Sequence, residues 1–316
     1  MKLLIARARN SSFLRNNVIY FIGSFGISVL NYLYYPVLGR LLQPADFGEV
    51  QTVMSFFLQT SIFMQVLGLV SIGVIARYRK PEERSRIIAE YSRLAFYIGL
   101  CIFVITVLVS PFLKSFFQFD SVLPFIAFGL VVLVTVPLTF ANSFLQAGHR
   151  FGDLSRSGII ASAAKLVLSA LLVFIGLKAF GAIAAIALAQ ALALVYTLFK
   201  TPDGKPVIMS GLRFKKPRFS VMRSELPYAG LVLVASLTVN VVLGLDIIVI
   251  KHYFDPHTAG LYAGIATIAR IIFYVTAPLA LVLIASVKPA NAKLNRQLLL
   301  RSAGLTLLTG GGCLIA

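Results

Sequence analysis

Nine apolar stretches, each about the length of a bilayer-crossing helix, alternate with mostly short polar gaps along the chain. They run over 17–39, 47–75, 91–113, 122–145, 157–177, 181–199, 226–250, 260–287 and 298–316. About 20 apolar residues span a hydrocarbon core as a helix, and a helix satisfies its own backbone polar groups, which lipid cannot do. No stretch carries the ten-residue in-and-out alternation of a membrane β-barrel. The expected fold class is therefore all-α: a polytopic membrane helical bundle of about nine helices, with neighbours antiparallel where the gaps are short.

Polar positions inside these stretches fall at helical spacing. Ser24, Ser28, Asn31 and Tyr35 in the first, and Thr135, Thr139, Asn142 and Gln146 in the fourth, follow i, i+4, i+7, i+11 and so share one face. The second adds Gln51, Ser55 and Gln59, and the fifth adds Ser162, Lys165 and Ser169. Two readings stay open: small polar residues that hold helices together, or the wall of a wet cavity. Asn, Gln and Lys among them favour the cavity. Intramembrane charges are more informative because each costs several kcal/mol unless paired or hydrated. Lys165 is placed about 12 Å in from the start of its stretch, and Arg270 about 15 Å in from the start of its own, beside Thr267 and Tyr274 on one face. Snorkelling is the other reading of Lys165, and a structural ion pair that of Arg270. Asp246 is the one carboxylate well inside an apolar stretch. It reads either as an ion-coupling group or as a structural partner of Lys251 or Arg270. Pro137 and Pro278 interrupt the fourth and eighth stretches and are candidate bends.

Composition agrees with this pattern: 59% of residues are hydrophobic and 13% charged, against about a quarter charged in soluble domains. A net charge of +18 raises nucleic acid as a partner, but its distribution answers the question. Of 29 Lys and Arg, 23 fall in the N-terminal tail, the even-numbered gaps and the bordering turns that hold Arg93 and Arg301. The odd-numbered gaps hold only Arg40, Lys114, Lys178 and Lys251. Such asymmetry is the positive-inside pattern and assigns the N-terminus to the cytoplasm. Attraction to anionic lipid is a secondary effect, and no basic region carries a nucleic-acid-binding module. The first stretch is too long for a signal-peptide core and lacks an A-x-A site. Cys101 and Cys313 lie within predicted helices, and His149, His252 and His257 lie at or near gaps without metal-ligand spacing. Neither a G-x-S-x-G elbow nor a P-loop occurs. A conventional enzyme, a metal site and a cofactor are therefore not expected.

The chain also repeats itself. Arg40-Leu-Leu-Gln-Pro44-Ala-Asp-Phe-Gly48 and His252-Tyr-Phe-Asp-Pro256-His-Thr-Ala-Gly260 share Pro and Gly at an offset of 212, each pair opening the next helix six helices apart. Six is even, so the two units run in the same orientation, as in parallel-repeat transporters. The expected organisation is a six-helix lobe over 1–199, a basic cytoplasmic linker over 200–225, and a partial lobe of about three helices over 226–316. Ending inside an apolar stretch at Gly310-Gly311-Gly312-Cys313-Leu314-Ile315-Ala316, the second lobe is expected to be C-terminally truncated.

The segment from Gly23 to Gly48 resembles the opening of the polysaccharide-biosynthesis (Wzx-type) oligosaccharide flippases. The segment from Asp246 to Arg270, with Gly260-Leu-Tyr-Ala263, resembles their junction between helices seven and eight. These flippases belong to the MOP superfamily with the MATE transporters. The resemblance implies two six-helix lobes facing a central cavity and alternating access in the bacterial cytoplasmic (inner) membrane. It also implies an undecaprenyl-diphosphate-linked glycan as substrate, with membrane lipids and glycan polymerase or glycosyltransferases as partners. With that substrate, Arg270 and Lys165 are expected to bind the diphosphate, Arg270 by a bidentate fork. Asn31, Gln59 and Asn142 are expected on the substrate-facing wall, with Asp246 as the ion-coupling group. Other readings are a MATE-like drug or small-solute exporter, an inactive fragment or scaffold of a glycan-assembly complex, and a membrane-embedded glycosyltransferase.

Overall fold

A computed structural model describes residues 12–77, 80–211 and 226–270, and the account below concerns these. The helices are α1 (Ser12–Leu41), α2 (Pro44–Arg77), α3 (Pro81–Phe116), α4 (Leu123–Ala147), α5 (Phe151–Leu172), α6 (Lys178–Lys200), α7 (Lys205–Gly211), α8 (Leu226–Tyr253) and α9 (Pro256–Ala269). No strand occurs among the described residues. The all-helical fold expected from the apolar pattern is thus present. Helices α1 to α6 carry the first six apolar stretches, α8 the seventh, and α9 the start of the eighth. The rest of the eighth stretch, with Pro278 and Tyr274, lies outside the described residues, as do the ninth stretch and Cys313. The chain divides into two compact units, Met1–Tyr262 and Ala263–Ala316.

Proline explains where several helices begin. Pro44, Pro81 and Pro256 each stand at the first helical position, where a missing N–H costs nothing and the fixed φ suits the helix. Four continuous helical stretches are long and apolar enough to cross a membrane: Pro44–Ile75, Glu82–Phe116, Leu123–Ala147 and Phe151–Lys200. The last is not one rod. Gly176 takes φ 92° inside the wide turn Val173–Leu177, a conformation open to glycine because it lacks a Cβ. The chain folds back there, since Ser169 Oγ donates to Ala182 O at 3.2 Å and Thr197 Oγ1 to Ser157 Oγ at 2.8 Å. One partner rises in number as the other falls, so α5 and α6 are antiparallel.

Hydropathy misplaced the ends of α5. The helix begins at Phe151 rather than 157, because a helix continues past the hydrocarbon into the polar residues Asp153 and Arg156. It ends at Leu172 because Val173–Leu177, although apolar, forms the turn. Helix α7, in the segment read as a plain linker, was not foreseen. It docks through Arg93 Nη2, which donates to Ser210 O at 3.4 Å while Nη1 pairs with Glu90 at 2.7 Å.

Elsewhere glycine sets how closely helices approach. A Cβ on Gly99 would meet Val136 Cγ2 at 2.9 Å, and one on Gly129 would meet Phe103 Cδ2 at 2.6 Å, so α3 and α4 pack antiparallel with almost no spacing. The repeated glycines meet each other. A Cβ on Gly48 would lie 3.0 Å from Gly260 Cα, and one on Gly260 would overlap the Pro44 carbonyl. The two Pro-x-x-x-Gly elements therefore form one seam, α2 start against α9 start. Asp255 caps α9, accepting from the N–H groups of His257 and Thr258 at 3.1 and 3.0 Å. The Thr258 hydroxyl and these N–H groups hold its carboxyl below the usual carboxylate range.

Gly260→Ala should destabilise the protein in detergent by about 1–3 kcal/mol, because the overlap is with backbone. Gly26→Ala, with nothing within 4 Å of the added methyl, should leave stability unchanged or raise it by up to ~1 kcal/mol; thermal unfolding of the two variants checks the contrast. The Asp255 cap should be complete above the ordinary carboxylate range and be lost as pH falls through the lowered value. Amide exchange at Thr258 should then accelerate at acid pH, and Asp255→Ala should show that faster exchange at neutral pH.

Candidate functional site

Two helices from opposite ends of the sequence of the first lobe build the candidate site. Helices α1 and α5 run parallel: Gly23 packs on Ser155, Ile27 on Gly158, and Asn31 on Ser162. The glycines let the two backbones approach, which brings long polar side chains one turn further along into contact. Lys165 Nζ donates a short hydrogen bond to Asn31 Oδ1. The Asn31 amide donates to Ser162 Oγ at 3.1 Å and back to Ile27 O at 3.0 Å. The ammonium also sits 4.4 Å from the centroid of the buried Tyr34 ring, within range of a cation–π contribution.

Because α5 begins at Phe151, Lys165 lies about 21 Å along the helix from its first residue and about 10 Å from its last. Counted from the apolar boundary at residue 157 the depth stays at about 12 Å, as expected, because the turns before it lie beyond the hydrocarbon. The cation is too far from the basic end to reach it by snorkelling there. A polar group at this depth needs partners, and Asn31, Ser162 and Tyr34 supply them.

The other candidates fall elsewhere. Gln59 Nε2 donates to Asn240 O of α8 at 2.9 Å, where Gly244 lets the backbone come within contact of Gln59 and Ser55. Asn142 Oδ1 accepts from Ser157 Oγ at 3.3 Å, and Thr197 in turn donates to that serine. Both residues join helices, as do their neighbours: Thr135 donates to Gln190 at 2.8 Å and Ser143 to Gly68 O at 3.2 Å. Most hydroxyls of α2 and α4 also bond a carbonyl one turn back, as Ser55 does to Gln51 O and Thr139 to Thr135 O. The fourth-helix stripe thus holds helices together. Asp246 Oδ2 accepts from the Tyr262 hydroxyl at 3.1 Å. Arg270 belongs to the second unit, where its N–H donates to Ala266 O at 3.0 Å. Lys165 and Asn31 are two expected site residues that the structure joins directly.

A cluster that sequence reasoning passed over lies at the cation-poor end of the first unit. Buried Glu49 of α2 accepts from the Asp120 N–H at 2.8 Å. Lys178 Nζ stands 3.6 Å from Asp120 and 3.9 Å from buried Asp46. Lys251 of α8 is 1% exposed, 5.3 Å over the Phe119 ring. Two of the four cations in the odd-numbered gaps, Lys178 and Lys251, occur near this end's carboxylates, and that co-occurrence at helix ends was the available signal. Among the described residues no His, Cys, Asp and Glu group could hold a metal ion.

Bilayer-length apolar helices, glycine-tight packing and a cation held inside the bundle define a multi-pass helical membrane protein. Its fold is similar to that of a solved MOP superfamily transporter from Pyrococcus furiosus, which superimposes with a TM-score of 0.50 at 11% identity, covering 95% of this chain and 76% of that one. That protein is described as having a binding pocket of reversed polarity that suggests a different function. The family of polysaccharide biosynthesis proteins matches over residues 13–284, and the chain belongs to it. No curated protein matches the chain.

Asn31→Leu should leave the Lys165 ammonium without its acceptor and cost about 1–3 kcal/mol. Adding Lys165→Met should recover most of that loss, because the unpaired charge is gone. Unfolding of the single and double variants in detergent measures the coupling, which independent sites would not show.

Proposed function

We propose that the protein moves a polyprenyl-diphosphate-linked oligosaccharide across the bacterial cytoplasmic membrane, N-terminus inside, by alternating access of its lobes. Membership of the polysaccharide biosynthesis family supports the biological setting, and the MOP superfamily fold supports a transport mechanism. The observation that carries the reading is the Lys165 ammonium, held by Asn31 between α1 and α5 well inside the bundle. A headgroup bearing a diphosphate is anionic and polar, so its passage needs a cation at depth and a wall of hydrogen-bonding groups. Lys165 supplies the first, and Asn31, Ser162 and Tyr34 supply the second. On binding, the phosphate oxygens replace Asn31 as acceptors of the ammonium, which leaves the amide free to bond the same headgroup. Arg270 is a second diphosphate ligand on this reading and Asp246 an ion-coupling group; the lobe over 1–199 and the partial lobe from 226 move about the linker at 200–225. The lipid tail needs no protein cavity, since it stays in hydrocarbon throughout.

The test is glycan export in cells that depend on this protein. Lys165→Ala should reduce surface glycan at least tenfold, with lipid-linked precursor accumulating on the cytoplasmic face and the amount of protein unchanged. Lys165→Arg should retain a substantial fraction, because the positive charge remains. Normal export in both Lys165→Ala and Arg270→Ala would overturn the site. Drug resistance that depends on Asp246, with glycan export untouched, would instead establish the exporter reading.

A further inference from the structure

The charged cluster at the cation-poor end is more than a surface network. Lys251 is 1% exposed and its Nζ makes no hydrogen bond, so Glu49, Asp120, Asp255 and Asp46 act on its charge only through space and offset part of the cost of its burial. Three of those carboxylates come from the first lobe: Asp46 and Glu49 from the start of α2, Asp120 from the connection after α3. Lys251 comes from the end of α8. The next residue makes a parallel attachment. His252 stacks on Phe116 at 3.8 Å between centroids with an interplanar angle of 8°, and its Nδ1 lies 3.0 Å from Phe116 O. Eight residues later, Gly260 is pressed against Gly48 and Pro44. Three successive contacts, charge, ring and glycine seam, therefore close the same end of the α2–α8 interface.

We propose that Lys251 is a tethered counter-ion that latches this end of the bundle shut. While it lies among Glu49, Asp46 and Asp120, the carboxylates need no ion from solution. Withdrawing α8 separates the Lys251 ammonium from buried Glu49 and leaves both charges without an opposite one, while Asp46 and Asp120 keep Lys178. Stranding buried charge costs far more than separating apolar surfaces. Opening at this end therefore requires that water or ions enter the cluster as Lys251 leaves. The charge distribution assigns this end to the outside, so the latch holds the pathway closed to the exterior. The inference needs no particular substrate.

A cysteine replacing Ser55 reports on the latch. Ser55 is 1% exposed and lies on α2 opposite Gly244 of α8, two turns below Gly48. The protein, with Cys101 and Cys313 changed to serine, is placed in liposomes without glycan and treated with a membrane-impermeant thiosulfonate. Labelling of the otherwise unaltered chain should be slow. Lys251→Met should speed it at least tenfold, Lys251→Arg should stay within threefold of the parent, and Glu49→Gln added to Lys251→Met should slow it again. Glu49→Gln alone should raise labelling at least threefold, which tests the latch from its other side if Lys251→Met does not fold. Unchanged labelling in Lys251→Met, or no slowing in the double variant, would overturn the proposal. Transport is not read out, so failure of the export experiment and failure of the latch are separate results.

Discussion

Hydrocarbon offers no hydrogen bonds, and that single property governs which groups this protein exposes and which it must pair. The backbone meets the demand by winding into helices. Side chains meet it in two ways. Hydroxyls on α2, α4 and α6 return to a carbonyl of their own helix, as Thr52 does to Gly48 O and Thr197 to Ala193 O. Longer groups cross to a neighbour, as Gln59 does to Asn240 O and Lys165 to Asn31. The second set is the smaller and the more informative, because each crossing bond fixes which helix faces meet.

Tight approach makes those crossings possible. Gly23 and Gly158 bring α1 and α5 together, Gly99 and Gly129 do so for α3 and α4, and Gly244 does so for α2 and α8. Removing a side chain costs helix propensity, about 1 kcal/mol for each glycine against alanine. Backbone-to-backbone contact offsets that loss through dispersion and through the short reach it gives to Asn31 and Gln59. In lipid, packing of this kind is what associates helices, since hydrocarbon is as apolar as leucine.

Charge is divided along the same axis. At the basic end it is largely solvated or paired locally: Arg150 and Arg156 flank Asp153, and Lys80 pairs with Glu83 on the surface. Such exposed pairs contribute little to stability. The opposite end has few cations, and there Asp46 and Glu49 of α2 and Lys251 of α8 are buried, with exposed Asp120 and Lys178 beside them. A scarce charge in a buried position constrains structure more than an abundant one in water. Lys165, between the two ends, is partnered by an amide and a ring and, among the described residues, by no carboxylate.

Sequence alone determined the all-helical membrane class, the order of the apolar helices, and the proline and glycine positions that open α2 and α9. Those features follow from the transfer of each segment into hydrocarbon and from local backbone geometry, and both are readable in one dimension. It located Lys165 and Asn31 as members of polar stripes, but 134 residues separate them, and no local rule joins them. Asn142 and Gln59 looked the same by spacing; only the packing distinguished residues that tie helices together from the pair that surrounds a cation. The true start of α5 was hidden from hydropathy by Asp153 and Arg156, whose turns lie beyond the hydrocarbon. Lys251 read as a gap residue and a possible partner of Asp246, and its burial was not legible, because burial of a helix end depends on what packs over it. Tertiary structure decided these points for one physical reason: the free energy of a polar group in a membrane protein is set by its partner, and the partner comes from another helix.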